Sequence, residues 1–135
     1  MKKILIVEDD QKIAMALMIR LTANGYNASV ASDAIAGASQ ARVIKPDLIL
    51  LDISMPGGNG FQLAETFHRI PETNGTPIIF ITASKSPELE QKVVELGAIG
   101  LFEKPFDTEK LLAFIEGKFK RMADLSDAQK RSAVH

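Results

Sequence analysis

The 135-residue sequence contains no cysteine and no tryptophan, and aromatic residues make up only 6% of it. The first absence excludes disulfides, thiolate zinc sites, iron–sulfur clusters and a cysteine nucleophile, and is compatible with a reducing cytosol. The shortage of aromatics leaves little for stacking the bases of single-stranded nucleic acid. An excess of one charge is missing too: 16 Lys+Arg oppose 17 Asp+Glu, for a formal net charge of −1. The overall balance provides no electrostatic pull toward nucleic acid or a membrane, so any charge that matters is local. Long hydrophobic runs are also absent. Ile4-Leu5-Ile6-Val7 stops at Glu8-Asp9-Asp10, short of the ~7–15 apolar residues of a signal segment or the ~20 of a membrane span. What is present, 46% hydrophobic residues, is the composition of one soluble intracellular domain with a sizeable core, and a cytoplasmic location is expected.

Three short aliphatic runs, Ile4–Val7, Leu48–Leu51 and Ile78–Ile81, have the pattern of strands buried on both faces of a parallel sheet. Between them lie apolar residues at helical spacing: Ile13, Leu17 and Leu21, then Leu63 and Phe67, then Leu89, Val93 and Leu96. Asp10, Asp33 and Asp107 stand where helices would start, Asn24-Gly25 where the first would end, and Pro46 where the second would stop. Tyr26, Ala28 and Val30 alternate with more polar neighbours and predict an edge strand, and Leu101-Phe102 predicts a second short edge. Five β/α units result, an α/β doubly wound sheet. The last helix carries Leu111, Phe114, Ile115 and Phe119 on one stripe. The packed domain is then residues 1–121, and 122–135 reads as a polar tail with no output domain.

A doubly wound sheet binds its ligands beyond the carboxyl ends of its strands. Those ends carry Glu8-Asp9-Asp10, Asp52, Thr82 and Lys104, so carboxylates, a hydroxyl and an ammonium converge on one edge. Two like charges ~4 Å apart cost about 4 kcal/mol at an effective dielectric of 20, so the cluster calls for a cation. Mg²⁺ suits it, preferring hard oxygens and leaving positions open for phosphoryl oxygens. A carboxylate attacks phosphorus to give an acyl phosphate while cations neutralise the phosphoryl charge. Asp52, alone at the end of an aliphatic strand, is the candidate nucleophile. Ser54-Met55-Pro56-Gly57-Gly58 after it leaves the site open. Thr82 offers a hydroxyl, Ala83 space and a backbone N–H, and Lys104 a fixed positive charge.

Val7-Glu8-Asp9-Asp10, Pro46 to Asp52, Met55-Pro56 with Gly60 four residues on, Ile81-Thr82-Ala83 and Lys104-Pro105-Phe106 together resemble the receiver domain of bacterial two-component response regulators, in particular single-domain chemotaxis-type regulators. The resemblance runs from Lys3 to about Phe119. It implies a flavodoxin-like five-stranded sheet in the order 2-1-3-4-5 with five helices. It also implies phosphorylation of Asp52 by a histidine kinase or histidine phosphotransfer protein, with Mg²⁺ required. Asp9 would be the direct metal ligand beside Asp52, with Glu8 acting partly through water and Ser54 supplying its backbone carbonyl. Thr82 and Lys104 match the switch hydroxyl and the lysine, and Lys104-Pro105 matches a step often cis in the family. Signalling would pull Thr82 inward and alter the face of helix 4, strand 5 and helix 5, to be read by a protein target rather than by nucleic acid or membrane. The chain departs from the family at Leu101, three residues before the lysine, where an aromatic usually follows that motion. Leu101 is expected to fill the vacated space. Ser54 and Ser84, two beyond Asp52 and Thr82, are expected to tune acyl-phosphate lifetime.

Other readings compete. An aspartyl-phosphate phosphatase of dehalogenase type wants Asp-x-Asp on an early strand, whereas Asp52-Ile53-Ser54 comes late and lacks the second carboxylate. A non-phosphorylated pseudo-receiver would have lost acidic, hydroxyl or lysine positions that are all present. Asp10 is assigned to capping and Gly57-Gly58-Asn59-Gly60 to a flexible turn, since no lysine follows it as in a phosphate-binding loop. His68 and His135 read as surface residues. Lys118, Lys120 and Arg121 complement the dipole at the end of the last helix.

Overall fold

The computed structural model describes residues 1–55 and 60–134, with side chains through Gln129. The turn expected at Pro56, Gly57, Gly58 and Asn59 and the surface position expected for His135 lie outside the described residues. The elements run β1 (Lys3–Val7), α1 (Gln11–Ala23), β2 (Asn27–Ala31), α2 (Ala34–Ile44), β3 (Leu48–Asp52), α3 (Gly60–Arg69), β4 (Ile78–Thr82), α4 (Pro87–Glu95), β5 (Gly100–Glu103) and α5 (Thr108–Val134). The strands pair in parallel in the order β2-β1-β3-β4-β5, the flavodoxin-like arrangement expected. The chain divides into two compact units, Met1–Pro105 and Phe106–His135.

In the first unit the three aliphatic runs occupy the centre of the sheet, and every residue of β3 and β4 is buried. On one face Leu5, Val7, Ile49, Leu51, Ile78 and Phe80 form a cluster with Ala41 of α2, Leu63, Ala64 and Phe67 of α3, and Val93 of α4. The alternate strand residues Ile4, Ile6, Leu48, Leu50, Ile79 and Ile81 are buried as well. Strands buried on both sides lose the polar alternation of a half-exposed sheet, which is why their sequences are continuous apolar runs. The edges are less buried, as β2 and β5 predicted. Tyr26 itself precedes β2, which begins at Asn27.

The helix starts follow the caps. Asp10 accepts from the N–H groups of Lys12 and Ile13, Asp33 from Ala36, and Ser86 from Leu89, each satisfying donors that the helix itself leaves unpaired. Asn24 caps the C-terminus of α1, and Gly25 follows at φ +89°, a region that side chains with a Cβ avoid. Gly60 meets a different constraint: a Cβ there would lie 2.6 Å from the Ile53 Cα, so only glycine lets α3 begin against the residue that follows Asp52.

In the second unit Asp107 accepts from the N–H groups of Glu109 and Lys110, and Leu111, Leu112 and Ile115 are buried. The stretch read as a tail is polar and exposed from Lys120 to Gln129, but it continues α5 as helix to Val134. No helix among the described residues is long and apolar enough to cross a membrane.

Gly60→Ala is expected to lower stability by about 1–3 kcal/mol through overpacking against backbone. Gly117→Ala in α5, where a Cβ meets nothing within 4 Å, is expected to raise it by about 0.5–1 kcal/mol. Urea unfolding checks both, and equal effects would contradict the packing at Gly60.

Candidate functional site

The parallel register sets the site. Val7 is level with Leu51, so Glu8 and Asp52 are each the next residue along on neighbouring strands. Asp52 is level with Ile81, which puts Thr82 one step beyond, and Thr82 is level with Glu103, which puts Lys104 one step further. Backbone hydrogen bonds continue the ladder past the strand ends, with the N–H of Glu8 donating to Ala31, that of Ile53 to Ile81 and that of Lys104 to Thr82. The Lys104–Pro105 peptide is cis.

Glu8 and Asp52 are each 1% exposed and Thr82 is buried, while the Lys104 side chain is 19% exposed. Lys104 reaches back over the strand ends. Its Nζ lies 2.8 Å from Glu8 Oε1 and 2.9 Å from Asp52 Oδ2. The other oxygen of Asp52, Oδ1, accepts from the Ser54 N–H at 2.8 Å and the Ser54 hydroxyl at 2.6 Å. Glu8 Oε2 accepts from the Asp10 N–H at 3.3 Å. Thr82 Oγ1 donates to the Ser84 carbonyl at 3.1 Å and accepts from the Ser84 N–H at 3.3 Å. Asp9 is exposed, yet it brings a carboxylate oxygen within 4.8 Å of those of Glu8 and Asp52.

One ammonium faces two buried carboxylates, and the protonation states follow from that count. Burial, reinforced by the hydrogen bond with Asp52, pushes the Glu8 carboxyl up to about 8. Burial works in the same direction on Asp52, but hydrogen bonds from Glu8, Ser54 and Lys104 outweigh it and hold Asp52 below its usual value. Burial also disfavours the Lys104 ammonium, yet the close carboxylates of Glu8 and Asp52 leave its pKa raised. Without a cation, Glu8 therefore keeps a proton while Asp52 stays ionised.

The residues fit a hard cation. The donor set is oxygen alone, from three carboxylates, and the buried Glu8 Oε1 has no aligned hydrogen bond despite its ion pair with Lys104. Glu8, Asp9 and Asp52 are the residues that would hold such an ion.

Of the residues expected at the strand ends, Glu8, Asp9, Asp52 and Lys104 come together, and Thr82 takes the register position between Asp52 and Lys104 with its hydroxyl on Ser84. Asp10 serves as the helix cap, as expected. Leu101 packs, partly buried, against the core cluster containing Phe80, its level partner on β4, and Phe102 alternates with it along the strand. His68 is exposed, with Nε2 3.1 Å from the Leu96 carbonyl. Two features have no sequence signature. The Ser54 side chain acts directly on the carboxylate it follows, and Glu103, next to Lys104, accepts from the Lys85 N–H at 2.6 Å.

The response regulator receiver domain model matches residues 4–116. The chain belongs to the receiver domains of response regulators. This receiver is 32% identical over 134 residues to the DNA-binding dual master transcriptional regulator RpaA of Synechocystis, covering 99% of the chain and 56% of that protein. It is 37% identical over 121 residues to the response regulator ArlR of Staphylococcus aureus, covering 90% of the chain and 54% of that protein. The chain spans about half the length of the curated relatives it matches. Among solved structures, the receiver resembles Vibrio cholerae chemotaxis protein CheY4 at a TM-score of 0.81 and 31% identity, covering 86% of this chain and 97% of that one. A CheY-like receiver domain protein from Methanospirillum hungatei gives a TM-score of 0.84 at 29% identity, covering 92% and 98%. The chain is thus a receiver domain of two-component response regulators, consistent with a phosphorylation-dependent signalling switch, and the dehalogenase-type phosphatase reading is not favoured.

The charge count has a consequence for stability. Glu8 binds its proton more tightly folded than unfolded, so in metal-free protein its contribution is full below its ordinary value of 4.5 and is lost as pH rises through about 8. Between pH 6 and 9 the urea midpoint of the receiver in EDTA should fall, and that of Glu8→Gln should fall less. An identical fall in both would contradict the assignment of the proton to Glu8.

Proposed function

We propose that Asp52 accepts a phosphoryl group from the phosphohistidine of a histidine kinase or histidine phosphotransfer protein, with Mg²⁺ bound at Glu8, Asp9 and Asp52 and at the Ser54 backbone carbonyl. The observation that carries this reading is the single ammonium of Lys104 shared between two buried carboxylates, Glu8 and Asp52. Asp52 is ionised and ends its strand at the site opening, so it is available as nucleophile. Its oxygen attacks phosphorus, an O–P bond forms, the P–N bond breaks, and the imidazole leaves with the bonding electron pair. Mg²⁺, when bound, neutralises charge on the phosphoryl oxygens.

The chain's own residues do the rest. Lys104 fixes one Asp52 oxygen and offers positive charge to the incoming group, an orientation that lowers the cost of approach between anions. Ser54 holds the other oxygen and must release or share it as the acyl phosphate forms. Thr82 turns its hydroxyl from Ser84 to a phosphoryl oxygen, the Ala83 N–H and small side chain leave room for it, and Pro105 follows Lys104 at the rim. Leu101 fills the space that Thr82 leaves, and a protein target reads the change through α4 and β5. Hydrolysis returns the switch to rest when water attacks phosphorus and the Asp52 carboxylate departs. These events take place in the cytoplasm, with no direct contact to nucleic acid or membrane.

With acetyl phosphate and Mg²⁺, intact mass should show one phosphoryl group on the wild-type protein, none on Asp52→Asn and none in EDTA, and the Leu101 methyl signals should shift in the phosphorylated form. An adduct on Asp52→Asn at the wild-type level would overturn the site assignment, and unmoved Leu101 signals would remove its role. Replacing Ser54 and Ser84 together with alanine should change the dephosphorylation rate by about two- to tenfold, the span of one hydrogen bond in the barrier. An unchanged rate would end the claim that these serines tune lifetime.

A further inference from the structure

The loop from Thr82 to α4 is tied down by a carboxylate outside the acidic cluster. Glu103, the last residue of β5, accepts the Lys85 backbone N–H on Oε2 at 2.6 Å. Both residues are exposed, so neither burial nor the core requires the contact. Thr82 and Glu103 are level in the ladder, so the residue that clamps the loop and the residue that begins it sit side by side on neighbouring strands. The loop then passes directly into α4, whose cap Ser86 is the next residue after Lys85. Within α4 only Val93 is buried. The helix is thus lightly anchored by its own side chains, and the polar ties at its entrance weigh heavily in its position.

A hydroxyl has one hydrogen to donate. Thr82 gives its hydrogen to the Ser84 carbonyl and accepts the Ser84 N–H, so turning the hydroxyl to a phosphoryl group on Asp52 gives up the ties that close the turn from Thr82 to Ser84 and lets it open. Opening that turn displaces Ser84 and Lys85, and the Glu103 carboxylate opposes this by holding the Lys85 N–H. We propose that Glu103 is a positioning residue that latches the β4–α4 loop in its unphosphorylated arrangement and so sets the resting bias of the switch. This rests on the reading of Asp52 and Thr82 given under Proposed function. A contact made in one state and lost in the other shifts the balance between them by its differential free energy. For a charged acceptor exposed to solvent, that corresponds to about two- to fivefold in the population of the open loop.

The test compares wild type, Glu103→Ala and Glu103→Gln. Glutamine keeps a carbonyl acceptor but removes the charge, so it separates the latch from a general electrostatic effect on Lys104. Glu103→Ala should speed hydrogen exchange of the Lys85 amide and raise the initial rate of phosphorylation by acetyl phosphate with Mg²⁺ by about two- to fivefold. Glu103→Gln should restore both toward wild type. Unchanged Lys85 exchange in Glu103→Ala overturns the contact. Faster exchange with an unchanged phosphorylation rate overturns the latch, as does a Gln variant that behaves like Ala. If wild type accepts no phosphoryl group, the reading of Asp52 fails and takes the latch's role with it, whereas wild-type acceptance with no effect of Glu103→Ala removes the latch alone.

Discussion

The structure turns on two buried carboxylates that share one lysine. Glu8 and Asp52 are both removed from water, and Lys104 neutralises only one of them. Burying a second uncompensated charge is costly, so the pocket must take up either a proton or a cation. In the metal-free protein the proton goes to Glu8, because Asp52 has in addition both the N–H and hydroxyl of Ser54. The asymmetry leaves the Asp52 carboxylate ionised and that of Glu8 neutral. A site built this way suits a hard cation, and among the described residues it is the one place where acidic side chains are buried.

The sheet exists to make that pocket possible. Lys104 reaches Glu8 and Asp52 only because the parallel ladders step each successive strand end outward, from Asp52 to Thr82 to Lys104. The register is held by aliphatic side chains buried on both faces, for which a one-residue slip would exchange the two sets. Gly60 completes the frame by allowing α3 to start against Ile53, one residue from Asp52. Packing far from the chemistry thus decides distances within it.

Much of this was legible in the sequence because the signals are local and redundant. The three aliphatic runs announce buried strands, and each ends on a residue whose chemistry is exceptional for a core. The caps Asp10 and Asp33 mark their helices for an equally local reason, a side chain bonding to N–H groups two or three residues on. What is not legible there depends on spatial detail. The Ser54 hydroxyl on Asp52 requires one rotamer, and the Glu103 contact to Lys85 joins residues 18 apart in sequence. The helical continuation of α5 was hidden by polarity: the segment from Ala123 to Val134 has no glycine or proline to stop a helix and carries three alanines with one each of Leu, Gln, Lys and Arg, all good helix formers. Leu101 packs, partly buried, against the core cluster and is level with Phe80 of β4, a placement that follows from the period of the strand.

The central claim is that Asp52 carries the phosphoryl group because its neighbours leave it the ionised carboxylate of the pair. Its most direct test is chemical trapping: phosphorylate the protein with acetyl phosphate and Mg²⁺, reduce the acyl phosphate with borohydride, and map the modified residue by peptide mass spectrometry. The account predicts homoserine at position 52 and nowhere else. Homoserine elsewhere with residue 52 unmodified, or reduction of the Glu8 or Asp9 side chain in its place, would contradict it.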